Sequence, residues 1–172
     1  MNIYFSIFNT PAKQSEQCET ALFLLDLALE REFAVKRGEM GEIVRNPHGK
    51  PYFKDASVFF NYSHCKYGAA CAVAKGEVGV DIEYSRRARP SVIERVCCDN
   101  EIKTIHNSDD FMRIWVQKEA YSKFTGRGFS EGFKSIDTTK FPRDIVFKQG
   151  GLYIAGYNAT AEGHQLVRAS PL

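Results

Sequence analysis

A chain of 172 residues, 44% hydrophobic and 26% charged, is long enough for one sizeable domain or two small lobes sharing a core. A formal net charge of +2 sets it apart from strongly basic nucleic-acid binders, so no nucleic-acid partner is expected. No stretch approaches the roughly 20 apolar residues of a membrane span. The first ten residues carry no basic n-region, which argues against a signal peptide. Five cysteines (Cys18, Cys65, Cys71, Cys97, Cys98) make an odd count with no C-x-x-C, so neither a disulfide framework nor a zinc knuckle is indicated. A reducing, cytoplasmic setting is the simplest expectation.

Ile3, Phe5 and Ile7 alternate as in a strand. Thr10-Pro11 offers an N-cap and a first helical position. Cys18, Ala21, Leu22, Leu25, Leu29 and Phe33 then follow at helical spacing, and Gly38 and Gly41 end the pattern. Asn46 to Tyr52 is turn chemistry. Val58, Phe60 and Tyr62 alternate up to Asn61-Tyr62-Ser63-His64. Ala69 to Ala74 reads as a strand of small residues that permits close packing. Short helices are expected from Ser91 through Cys97 and from Asp99 or Asn100 to about Ile105. A longer helix is expected from Ser108 or Asp109 to Phe124, stopping at Gly126. Strands are expected over Phe133 to Ile136, Asp144 to Lys148, Leu152 to Tyr157 and Gln165 to Arg168, with a hairpin turn at Gln149-Gly150-Gly151.

The stretch V-G-V-D-I-E-Y-S-R-R, Val78 to Arg87, organises the chain. Val78, Val80 and Ile82 define one face of a half-buried strand, and Gly79, Asp81 and Glu83 the other. Two carboxylates two residues apart repel unless a cation joins them, and a hard divalent cation suits oxygen ligands. Within the long helix, Met112, Val116, Ala120 and Phe124 form the buried stripe. Trp115, Glu119 and Lys123 form the neighbouring one, at the border of a cleft. Each feature also has an ordinary reading. The strand face could be simply solvated, Glu119 and Lys123 a surface i, i+4 pair, Lys50 a turn lysine and His64 a hydrogen-bonded turn histidine.

Four pieces in order carry a resemblance: G-K-P-Y at Gly49 to Tyr52, F-N-Y-S-H at Phe60 to His64, V-G-V-D-I-E at Val78 to Glu83, and W-V-Q-K-E-A-Y-S-K at Trp115 to Lys123. Together the chain resembles the 4′-phosphopantetheinyl transferases, of the larger type with two fused similar halves. The resemblance implies Mg²⁺-dependent transfer of phosphopantetheine from coenzyme A to a serine of an apo acyl or peptidyl carrier protein. It implies that Asp81, Glu83 and Glu119 hold the metal. It also implies that Lys50, Ser63 and His64 bind the nucleotide end of coenzyme A, and that Lys123 contacts the pyrophosphate. The base for the serine is then Glu119 or a metal-bound water. The family's N-terminal half carries a basic helix, whereas Cys18 to Leu29 carries no Arg or Lys, which leaves Arg31, Lys36, Arg37 and Arg45 as the candidates to replace it.

The expected fold is α+β. It has two similar lobes, residues 1–76 and residues 77–172, each a long helix on a small antiparallel sheet, with the site between them. A weak repeat supports this: laying the first strand on the Val78 strand puts Ser6 where Asp81 stands and Phe8 where Glu83 stands. Fused halves imply a monomer. Arg86, Arg87, Arg89 and Arg95 follow the metal strand and suit docking of an acidic carrier protein. Two rival functions are a non-catalytic module that binds coenzyme A or a carrier protein, and a Mg²⁺-dependent nuclease or phosphohydrolase.

Overall fold

The structure is a computed structural model that describes residues 1–55, 57–128, 132–142, 145–159 and 164–170. The fold is α+β. One sheet contains β1 (Asn2–Ile7), β4 (Phe59–Cys65), β5 (Gly68–Ala74) and β9 (Gln165–Arg168), in the order β4-β5-β1-β9. A second contains β6 (Val78–Tyr84), β7 (Val146–Gln149) and β8 (Leu152–Asn158), in the order β6-β8-β7. A small hairpin joins β2 (Ile43–Arg45) to β3 (Pro51–Phe53). The helices are α1 (Gln14–Phe33), α2 (Pro90–Val96), α3 (Asp99–Ile102) and α4 (Ser108–Thr125).

The two main sheets share a plan. In each, an opening strand leads to a long helix, and the second strand of a later hairpin returns antiparallel beside the opener, β5 beside β1 and β8 beside β6. The layers follow from the alternation of side chains along strands. Ile3, Phe5, Ala70 and Ala72 meet Val80, Ile82, Leu152 and Ile154 between the sheets. The outer face of the first sheet, with Tyr4, Cys71 and Val73, packs on Leu24, Leu25, Ala28 and Leu29 of α1. Tyr153 and Ala155 pack on Met112, Val116 and Ala120 of α4. Since Val78, Val80 and Ile82 point between the sheets, Gly79, Asp81 and Glu83 must face α4. Gly79 lets that helix come close: a Cβ there would lie 2.1 Å from the Ala120 carbonyl oxygen and 2.3 Å from the Phe124 nitrogen.

Several expectations are corrected. The first helix begins at Gln14, not at Pro11, because the Ala12 N–H donates to the Lys66 carbonyl (2.9 Å) in the β4–β5 turn. It ends at Phe33 with Ala34 in the left-handed region, ahead of Gly38. Asn46 to Lys50 is the expected turn, but Pro51 and Tyr52 already belong to β3, paired with β2. Phe133 to Ser135 is a 3-10 turn and not a strand, because the Lys118 ammonium takes the carbonyls of Phe133 (2.7 Å) and Ile136 (2.6 Å). Of the strand expected over Asp144 to Lys148, Asp144 lies outside the described residues and β7 begins at Val146. The Gly150-Gly151 hairpin and the Gln165–Arg168 strand are as expected, but β9 pairs parallel with β1 in the first sheet.

Candidate active site

Asp81 is 4% exposed, in the middle of β6, where the strand turns it toward α4. Its Oδ1 accepts from Ser63 Oγ (2.8 Å) on β4 and from Lys123 Nζ (2.6 Å) on α4. Lys123 Nζ also donates to Ser63 Oγ (2.8 Å). Asp81 Oδ2 is buried and makes no hydrogen bond. A buried carboxylate oxygen without a partner is expensive, so this atom is suited to a ligand that brings positive charge. Local spacing allowed a Glu119–Lys123 pair, but Lys123 instead crosses to Asp81.

Glu83 and Glu119 complete the acidic wall. Burial pushes the Glu119 carboxyl up to about 7, and the Asp81 and Glu83 charges add to this while Lys123 and Arg86 oppose it. Glu83 is raised in the same direction by burial and by Asp81, against Arg86 and Lys123. The Trp115 indole also favours charged Glu83, although its buried Nε1 makes no hydrogen bond of good geometry. Arg86 contacts Glu83 Oε1 (3.5 Å) and lies over the Trp115 and Tyr84 rings, 5.7 and 5.8 Å from their centroids. All three acids offer oxygen, which fits a hard divalent cation. Their ligand atoms are not gathered within 4.8 Å of one another. Among the described residues that spacing belongs to Cys98, Glu101 and Asp137. There the Glu101 carboxylate is already taken by Lys118, Thr138 and the Cys98 N–H.

Beside the acids is a cavity of about 240 Å³, lined by Lys50, Tyr62, Glu119, Lys123, Arg45 and His48 among others. The β2–β3 hairpin presents Lys50 there. Asn46 Oδ1 accepts from the His48 and Lys50 N–H groups (2.9 Å each), and its Nδ2 donates to the Gly126 carbonyl (2.9 Å). Gly126 itself ends α4 in the left-handed region that glycine tolerates. Lys50 Nζ pairs with Glu77 Oε2 (2.5 Å) and donates to the Phe124 carbonyl (3.0 Å). His64 is turned to α1. Its Nδ1 lies 3.0 Å from Gln17 Oε1 and its Nε2 3.5 Å from Cys18 Sγ. Burial and the Lys123 charge lower its pKa, which favours the neutral ring.

Asp81, Ser63, Glu83, Glu119 and Lys123 therefore share one site, Lys50 lines the adjoining cavity, and His64 faces away to α1. The sequence did not single out Asn61, whose Oδ1 takes the Val80 N–H (2.9 Å) and ties β4 to β6 beside Asp81. It also did not single out Glu77, Gln17 or His48. Asn61 stands inside the F-N-Y-S-H piece, two residues before Ser63, and that spacing on one strand face was the available signal.

This arrangement of acids and lysine falls within residues 77–163, half of the chain, which match the 4′-phosphopantetheinyl transferase superfamily. The chain belongs to that superfamily. A Haemophilus influenzae relative is 30% identical over 67% of this chain and 53% of its own length. The 4′-phosphopantetheinyl transferase gsp of Aneurinibacillus migulanus is 31% identical over 61% of this chain and 47% of its own. The 4′-phosphopantetheinyl transferase HetI of Nostoc is 33% identical over 48% of this chain and 40% of its own. The chain thus spans about half the length of the curated relatives it matches.

Proposed function

We propose that the chain is a 4′-phosphopantetheinyl transferase. It moves phosphopantetheine from coenzyme A to the serine of an apo acyl or peptidyl carrier protein. The observation that carries this reading is the buried, unpartnered Oδ2 of Asp81 beside Lys123 and two further carboxylates, inside the span that matches the family. Asp81, Glu83 and Glu119 would hold Mg²⁺. When bound, the cation neutralises pyrophosphate oxygens as charge develops on them.

The chain's own residues supply the remainder. Lys123 gives a second positive charge to the pyrophosphate, and Lys50 lies at the nucleotide end. The serine Oγ forms a bond to the β-phosphorus, the bond from that phosphorus to the bridging oxygen breaks, and adenosine 3′,5′-bisphosphate leaves. Glu119 is the protein group that would take the serine proton. His64 reaches a phosphate only by leaving Gln17 and Cys18.

In this reading residues 1–76 and 77–172 form two related lobes around the cleft, except that β9 of the second half returns to the sheet of the first, and the chain acts as a cytoplasmic monomer. No helix among the described residues is long and apolar enough to cross a membrane. The exposed Arg87 and Arg89 dock the acidic carrier protein. Reversing both charges raises KM for the carrier, and less so at high salt, because exposed charges are screened beyond about 8 Å.

The deciding experiment is intact mass of several apo carrier proteins after incubation with the protein, Mg²⁺ and coenzyme A. A gain of one phosphopantetheine that Asp81→Ala abolishes is expected. Binding of coenzyme A with no mass gain on any carrier would leave only a binding module.

A further inference from the structure

We propose that Ser63 is a positioning residue of the carboxylate site, fixing Asp81 so that one oxygen stays uncommitted for a divalent cation. The family resemblance points Ser63 at the nucleotide, but the structure puts its hydroxyl elsewhere. A serine hydroxyl has one hydrogen to give. Here that hydrogen goes to Asp81 Oδ1 (2.8 Å), while Ser63 Oγ itself accepts from Lys123 Nζ (2.8 Å). That hydrogen is thus committed to the carboxylate site. Ser63 is 7% exposed and Asp81 4% exposed, so water does not readily replace either contact.

Both donors meet the same carboxylate oxygen. Ser63 and Lys123 converge on Oδ1, and Oδ2 is left buried and unpartnered. The terminal torsion of aspartate is broad, so a carboxylate held by one donor rotates freely where a doubly anchored one does not. The place from which Ser63 acts is itself fixed. Two residues earlier on the same strand face, Asn61 Oδ1 accepts the Val80 N–H (2.9 Å) and clamps β4 against β6 next to Asp81. Groups that orient a metal-binding carboxylate change metal affinity about 10–100-fold when removed.

The cation itself rests on the functional reading above, so the test separates the two. Mn²⁺, an EPR-visible stand-in for Mg²⁺, is titrated into the whole chain without coenzyme A, with Asp81→Ala as the control for non-site binding. Ser63→Ala should weaken Mn²⁺ binding about 10–100-fold. Ser63→Thr, which keeps the hydroxyl, should restore it to within about threefold. In transfer assays Ser63→Ala should lower kcat and leave the KM ratio of coenzyme A to 3′-dephospho-coenzyme A as in the wild type. Wild-type Mn²⁺ affinity in Ser63→Ala, or no Mn²⁺ binding by the wild type that depends on Asp81, overturns the proposal. Loss of preference for coenzyme A over the dephospho form, with Mn²⁺ binding intact, returns Ser63 to the nucleotide. Mn²⁺ binding that behaves as expected in a chain that modifies no carrier protein leaves the positioning role standing and removes the transferase reading.

Discussion

Two lysines of α4, Lys118 and Lys123, each meet an acid from another element, and the two pairs are built to opposite specifications. Lys118 and Glu101 are fully buried, 2.7 Å apart. Lys118 also binds the carbonyls of Phe133 and Ile136. Glu101 Oε1 takes the N–H and hydroxyl of Thr138, and Oε2 takes the Cys98 N–H (2.9 Å). That pair is closed. Lys123 and Asp81 are 2.6 Å apart, with side chains 29% and 5% exposed, and Asp81 Oδ2 is unsatisfied. A buried ion pair holds only when its remaining hydrogen-bonding capacity is filled. The closed pair is thus a joint between α3, α4 and the following turns. The open pair keeps capacity for something that arrives later.

The contrast can be broken first at the open pair. Asp81→Ala or Glu119→Ala should cut phosphopantetheine transfer at least about 1,000-fold, near 4 kcal/mol on the barrier, with the fold retained by circular dichroism. A rate close to wild type in either variant, at saturating Mg²⁺, removes those acids from the site. At the closed pair the damage falls on stability. Lys118→Ala leaves a buried carboxylate without its cation and should cost about 3–5 kcal/mol in urea unfolding. Lys123→Ala also strips a buried acid of its cation, but Ser63 still donates to Asp81 and Lys123 itself is partly exposed, so the cost should be smaller, about 1–2 kcal/mol, while transfer slows. Similar unfolding losses for the two lysines would erase the distinction.

A pH series sharpens it. With its carboxyl pushed up to about 7, Glu119 keeps its proton in the native chain after the unfolded chain has lost it near 4.5. Between those values the unfolded state binds fewer protons, so stability falls as pH rises, then levels off above about 7. Glu119→Gln has no such loss. Without divalent cations the variant should match the wild type below pH 4.5 and exceed it by about 3 kcal/mol at pH 8. An advantage that is the same at both pH values would mean that the wall is not under electrostatic strain. The smallest effect is expected at Arg86. Trp115 is the chain's single tryptophan, and Arg86→Gln removes the cation from its face. The emission spectrum should shift while stability falls by about 0.5–1 kcal/mol. An unchanged spectrum would place the guanidinium elsewhere in solution.

What was legible in the sequence is what local periodicity controls. The alternation through Val78 to Glu83 put Asp81 and Glu83 on one face, and the i, i+4 stripes of α4 put Glu119 and Lys123 beside them. Illegible parts depend on distant backbone atoms. Thr10-Pro11 has the chemistry of a helix start, but the Lys66 carbonyl competes for the Ala12 N–H. Phe133 to Ile136 has the composition of a strand, but its carbonyls are claimed by a lysine buried in another element. The spacing of Glu119 and Lys123 favours a local pair, yet Asp81 wins because it is buried and Lys123 can reach it. Nothing local in Gln165 to Arg168 names β1 as its neighbour.

Gly79 has a consequence for how the site's dimensions are set. The acids at Asp81 and Glu83 stand on β6, and Glu119 and Lys123 stand on α4. The separation of these two supports is fixed where the Ala120 carbonyl and the Phe124 nitrogen rest against a residue with no side chain. Gly79 therefore works as a shim of zero thickness. Any larger residue would lift the helix with both of its charged groups together, widening the gap to Asp81 without altering a single ligand. The reach of the site can then be retuned from a position that carries no charge, donor or acceptor in its side chain. Substitutions there should be read as changes in spacing, even though none of the reacting groups has changed.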